Sequence, residues 1–103
     1  MNNINSLIVE GNITNLSKNG AFTMAVNHYY KNADGKCQTE TSYFDVETLG
    51  KLAELCDKYA VKGRGVSVVG RLTQKVWKED GKNFAKVYVV AEHIEFKPMK
   101  KED

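Results

Sequence analysis

Little in this chain of 103 residues invites covalent or metal chemistry. It has two cysteines, Cys37 and Cys56, too few for a disulfide scaffold, so a reducing cytoplasm is the expected setting. Zinc sites ask for Cys or His ligands in pairs about two to four residues apart, and neither the cysteines nor His28 and His93 are so spaced. Cys56 reads as a small buried hydrophobe and Cys37 as an incidental exposed thiol beside a turn. Gly63-Arg64-Gly65 lacks the Gly-Lys-Ser/Thr of a phosphate loop and reads instead as a tight link between a helix and a strand. No catalytic residue, metal or cofactor is therefore expected, and no enzyme. No apolar run approaches the roughly 20 residues of a membrane span. The polar opening Met1-Asn2-Asn3-Ile4-Asn5 has no basic region ahead of an apolar core, so neither a signal peptide nor a membrane partner is expected.

What is present is an ordinary globular composition. With 42% hydrophobic residues, the chain has enough apolar material for a core, which excludes a disordered or collagen-like protein. Its length suits one domain, since two of about fifty residues each would have poor cores. Residues 1–98 are expected to form that domain and 99–103 a frayed end beyond the single proline, Pro98. The net charge of +2 conceals a segregation. Asp34 to Asp57 holds six acids and two bases, whereas Lys58 to Lys78 holds six bases and no acid. Such a stretch is either a solvated lysine-rich surface or the footprint of a polyanion.

Periodicity gives the order of elements. A first strand is expected from Ile4 to Thr14, a second from Ala21 to Tyr30 and a third from Glu40 to Leu49, with Asp34-Gly35 marking a hairpin turn. Gly50 breaks the pattern. Lys51 to Tyr59 then reads as a helix, with Leu52, Leu55, Cys56 and Tyr59 on one stripe. A fourth strand from Val66 to Trp77 and a fifth from Phe84 to Phe96 flank a second hairpin turn at Asp80-Gly81. The order β-β-β-α-β-β predicts an OB fold, a five-stranded Greek-key barrel with the helix plugging one end.

On that fold the chemistry lies on the outward faces. In the third strand Phe44, Val46 and Thr48 should face the core, leaving Tyr43, Asp45, Glu47 and Leu49 outside. In the fourth, Val66, Val68 and Leu72 should face inward. Arg71, Thr73, Lys75 and Trp77 then face out, inside the acid-free stretch. Tyr30 ends the second strand beside Lys31. Exposed aromatics among cations suit single-stranded nucleic acid. Bases stack on the rings, for about 1–3 kcal/mol each and without regard to sequence, while cations follow the phosphates. Asp45 and Glu47, next to Tyr43, should repel phosphate. The competing reading is that Tyr and Trp here merely form good strands and cover a hairpin.

Leu7-Ile8-Val9-Glu10-Gly11-Asn12-Ile13, Gly50-Lys51-Leu52-Ala53-Glu54, Tyr59, Lys62-Gly63, Val69-Gly70-Arg71-Leu72, Trp77 and Val87-Tyr88-Val89-Val90-Ala91-Glu92 together resemble the bacterial single-stranded DNA-binding proteins. The resemblance covers about residues 4 to 97. It implies a non-enzymatic OB-fold homotetramer that wraps single-stranded DNA in replication, repair and recombination. It also implies base stacking at Tyr30, Tyr43, Leu49 and Trp77, and DNA contacts from Lys51 and Lys62; Arg71 and Lys75 are added by strand alternation. The family commonly has tryptophan where Tyr30 and Tyr43 stand, so smaller platforms are expected there; it often has phenylalanine at Leu49, where only apolar contact is expected. Its loop between the first two strands is usually longer than Asn15 to Asn19. Its acidic C-terminal tail, which recruits repair and replication proteins, has no counterpart before Asp103, the last residue of this sequence. A tail-less primosome-type adaptor acting in replication restart is the second reading. An OB-fold nuclease is a third, opposed by the lack of clustered acids.

Overall fold

A computed structural model describes residues 2–99. The chain runs β1 (Leu7–Leu16), one turn of 3-10 helix (Lys18–Gly20), β2 (Phe22–Lys31), β3 (Cys37–Glu47), α1 (Lys51–Tyr59), β4 (Gly65–Glu79) and β5 (Lys82–Phe96). The strands close into a barrel in the order β1-β2-β3-β5-β4, with β4 pairing back onto β1. Neighbours are antiparallel except β3 and β5, which meet in parallel at Val46–Val89 and Glu47–Val90. This is the OB fold expected from the element order. Of the expected frayed end, 99–103, all but Met99 lies outside the described residues.

Turn chemistry sets the register. Between β2 and β3, Asn32 Oδ1 accepts the N–H groups of Asp34 and Lys36, each at 3.0 Å. Gly35 supplies the left-handed residue, at φ 76°, that such a turn requires. Between β4 and β5, Asp80 and Gly81 both have positive φ, 48° and 78°, the signature of a two-residue type I′ turn. Glu79 therefore faces Lys82, and counting back places Trp77 opposite Phe84 and Lys75 opposite Lys86.

The core is formed by Ile13, Phe22, Met24, Val46, Val66, Val68, Val89 and Ile94, with Cys56 and Ala60 added by the helix segment. The pairing of β5 with β4 slips between Val69–His93 and Gly70–Ala91, so Glu92 is an extra residue bulged out of the ladder. Without the bulge, strict alternation from Ile94 would turn Glu92 and Val90 inward; with it, Ala91 and Val89 face the core. Gly70 lies beside the slip, and a Cβ there would sit 2.1 Å from the Val90 carbonyl oxygen.

Several sequence expectations are corrected. Leu72 and Phe44, read as inward, are 47% and 38% exposed. The barrel wall ends near Gly70 on β4 and near Asp45 on β3, and beyond those points each hairpin continues as an arm with few neighbours. On the helix only Cys56 and Leu52 join the core, while Leu55 and Tyr59 remain exposed. β1 begins at Leu7, and β3 spans Cys37–Glu47, so Leu49 lies in the link to the helix. Gly63 does lie in the tight link between helix and strand, in the turn where Arg64 N donates to the Val61 carbonyl.

Candidate nucleic-acid interface

The outer half of the β4–β5 hairpin presents Arg71, Thr73, Lys75 and Trp77 on the same face as Phe84, Lys86 and Tyr88. That follows from the type I′ register, because residues directly opposite share a face. The Trp77 ring stacks on Phe84, with centroids 5.8 Å apart and planes 19° apart. Phe84 thus backs one face of the indole, and Trp77 is still 42% exposed. Sequence reading found Trp77 but missed Phe84, although the Asp80-Gly81 turn carries the signal.

The same register sets Lys75 directly against Lys86, a like-charge pair that destabilises a sheet unless neutralised. β3 neutralises both. Lys75 Nζ donates to Glu47 Oε1 at 2.7 Å, and Lys86 pairs with Asp45. Asp45 also accepts from the Thr23 hydroxyl at 2.7 Å. Its carboxyl is held below the usual range by the hydrogen bond from Lys86 and then by that from Thr23. The Lys75 ammonium is raised above its ordinary value, chiefly by its hydrogen bond to Glu47. Lys75 Nζ lies 4.7 Å from the centre of the Tyr88 ring, in cation–π range. Each acid beside Tyr43 is therefore paired with a lysine, and Lys75 is an ion-paired cation.

The other expected residues divide. Tyr43, 66% exposed, lies on the outer face with Asp45 and Glu47, across from Ala25. Arg71 is exposed, and its Nη1 donates to Thr73 Oγ1 at 2.9 Å. Leu49 and Lys51 are exposed at the entrance to the helix. Lys62 lines a cavity of about 650 Å³ with Asn12, Asn27, Tyr29 and Lys97. Tyr30 faces Gln38 and is on the opposite face of the β2–β3 ribbon from Tyr43, with its ring stacked on His28 at 5.9 Å. Its neighbour Tyr29, missed in the sequence, shares the face of Tyr43 and is 73% exposed. Arg64, counted in the basic stretch, serves the fold: its guanidinium donates to the carbonyls of Tyr59 and Lys97 and covers the Phe96 ring. Among the described residues no His, Cys, Asp and Glu side chains gather into a group of three that could hold a metal ion. No helix there is long and apolar enough to cross a membrane.

Residues 4–97 match the sequence model of the Single-strand binding protein family. The chain belongs to that family. Its single-strand binding relatives include the single-stranded DNA-binding protein of Aquifex aeolicus, 45% identical over 73 residues that cover 71% of this chain and 50% of that protein. Single-stranded DNA-binding protein 1 of Clostridium acetobutylicum is 37% identical over 82 residues, covering 79% of this chain and 73% of its own. The Treponema pallidum protein is covered to 58%; the chain spans about half the length of many of the curated relatives it matches. Among solved structures, the Plasmodium falciparum SSB complex with ssDNA superposes with a TM-score of 0.83 over 95% of this chain and 98% of that one. Its 19% identity makes this a likeness of fold. The single-stranded DNA binding protein from Thermus aquaticus, as a deletion mutant, gives a TM-score of 0.78 at 25% identity, over 92% of this chain and 51% of that one. The family match spans every candidate residue named above.

Proposed function

We propose that this chain binds single-stranded DNA without regard to sequence, and that it acts as a non-enzymatic coat on strands exposed in replication, repair and recombination. The observation that carries the reading is the exposed Trp77–Phe84 stack on an arm that also carries Arg71, Lys75 and Lys86, the two lysines paired with β3 acids on the face of Tyr43. A ring with one face backed is a ready platform for a base, and nearby cations can neutralise the phosphates on either side. Trp77 and Tyr43 are the principal stacking residues in this proposal. Tyr30 and Leu49 add contacts further along the strand, and Lys51, Lys62, Arg71 and Lys75 contact phosphate. Residues 1–98 act as one binding unit in the cytoplasm, assembled as a homotetramer. Assembly is supported by the lone edge of β1, which joins β2 only from Asn12 on, and by exposed Ile8 on the same strand.

The test is titration of labelled dT and mixed-sequence oligomers, with product analysis for cleavage. Equal binding of both without cleavage supports the reading. A folded protein that binds neither supports the adaptor alternative, and cleavage supports the nuclease.

A further inference from the structure

We propose that Glu47 and Asp45 are built-in competitors of DNA phosphate, holding Lys75 and Lys86 in the empty protein and setting how tightly the strand binds. This rests on the single-strand reading above. Both lysines project from the arm that carries Trp77, they oppose each other across β4 and β5, and each is met by a β3 carboxylate. A carboxylate oxygen and a phosphate oxygen make the same charge-assisted hydrogen bond to an ammonium. A strand laid on Trp77 therefore either displaces the carboxylate or shares the ammonium, which has three donors, with a carboxylate that repels it. Either way the acid weakens binding through its own lysine. The geometry also explains why acids stand on a nucleic-acid face: without them two ammonium groups would confront each other in the free protein. Thr23, donating to Asp45 at 2.7 Å, fixes one of the two carboxylates in place.

The claim separates from a plain change in net charge by a double-mutant cycle on Glu47 and Lys75. Binding of a dye-labelled dT oligomer of about 16 nucleotides, the upper range for one OB fold, is followed by anisotropy at low salt. Glu47→Gln should tighten binding by about two- to fivefold, the range for an exposed ion pair, and Lys75→Ala alone should weaken it less than about twofold. Once Lys75 is alanine, Glu47→Gln should tighten binding clearly less, by no more than the general relief of repulsion that Glu79→Gln gives. Glu79→Gln, an acid on the same arm with no ion-pair partner among the described residues, should have the same effect with or without Lys75. Asp45→Asn with Lys86→Ala repeats the cycle independently, the amide oxygen keeping an acceptor for Thr23. If Glu47→Gln tightens binding equally in both backgrounds, or weakens it, competition through Lys75 is overturned while single-strand binding stands. A folded wild-type protein that does not bind dT overturns both.

Discussion

Trp77 is the only tryptophan, so its emission reports one place per subunit. Phe84 backs one face of the indole at 5.8 Å, and Trp77 is 42% exposed. A base can therefore stack on the open side while Phe84 holds the ring still. Saturating poly-dT should quench the emission. Trp77→Ala should cost about 1–3 kcal/mol per engaged subunit, a weakening of about 5- to 150-fold. Trp77→Phe should fall between, with a smaller π-face. Phe84→Ala sharpens the test, because Phe84 lies behind the platform. It should lose the aromatic pair, about 0.5–1.5 kcal/mol of stability, and weaken binding less than Trp77→Ala does. Titrations with a labelled dT oligomer, alongside urea unfolding of each variant, separate the two effects. Unchanged emission at saturation, together with normal binding by Trp77→Ala, would refute the assignment even if the protein binds DNA by another face.

The affinity for dT should fall with salt at a log–log slope of about −0.7 per phosphate contacted. Arg71→Ala should flatten that slope by up to about 0.7 per subunit, since Arg71 is tied only to a neutral hydroxyl. Light scattering should give four times the chain mass of 11.6 kDa, and a monomer at micromolar concentration would overturn the tetramer. Ellman's reagent should label Cys37 quickly in the native protein and Cys56 only on unfolding. Burial pushes the Cys56 thiol up to about 11 from 9.0, so the folded state holds its proton more tightly, and that stability is present below about pH 9 and lost as pH rises through 11. Gly70→Ala places a Cβ against the Val90 carbonyl oxygen and should lower stability by about 1–3 kcal/mol in urea melts.

Element order and type were legible because each strand carries its own alternation and each hairpin its Asp-Gly. The helix bounds, Lys51–Tyr59, coincide with the sequence reading. What periodicity could not supply was where the wall of the barrel ends. Leu72 and Phe44 obey the inward alternation yet are exposed, because their strands have already left the barrel. The Glu92 bulge was equally hidden, since it arises from the pairing of two strands rather than from either alone. At the interface, Trp77 stood out as a lone aromatic among cations. Phe84, Lys86 and the β3 acids acquire meaning only through register. The Asp80-Gly81 turn contained the β4–β5 part of that register, but the meeting of β3 with those lysines depends on closure of the barrel.

That closure has a consequence for how the molecule comes into being. β1, β2 and β3 pair with near neighbours in sequence, as do β4 and β5, but the barrel is joined by β1 on β4 and by the two residue pairs between β3 and β5. Val46 must find Val89, and Leu7 must find Gly70, and such distant pairings slow folding because chain entropy is lost before the contacts form. Without β5, β4 can join β1 and bring Val66 and Val68, but β3 and β4 stay unlinked and Phe22, Met24 and Val46 lack Val89, Ala91 and Ile94. Of the five strands, the last in chain order is thus the one that turns an open, partly apolar sheet into a barrel.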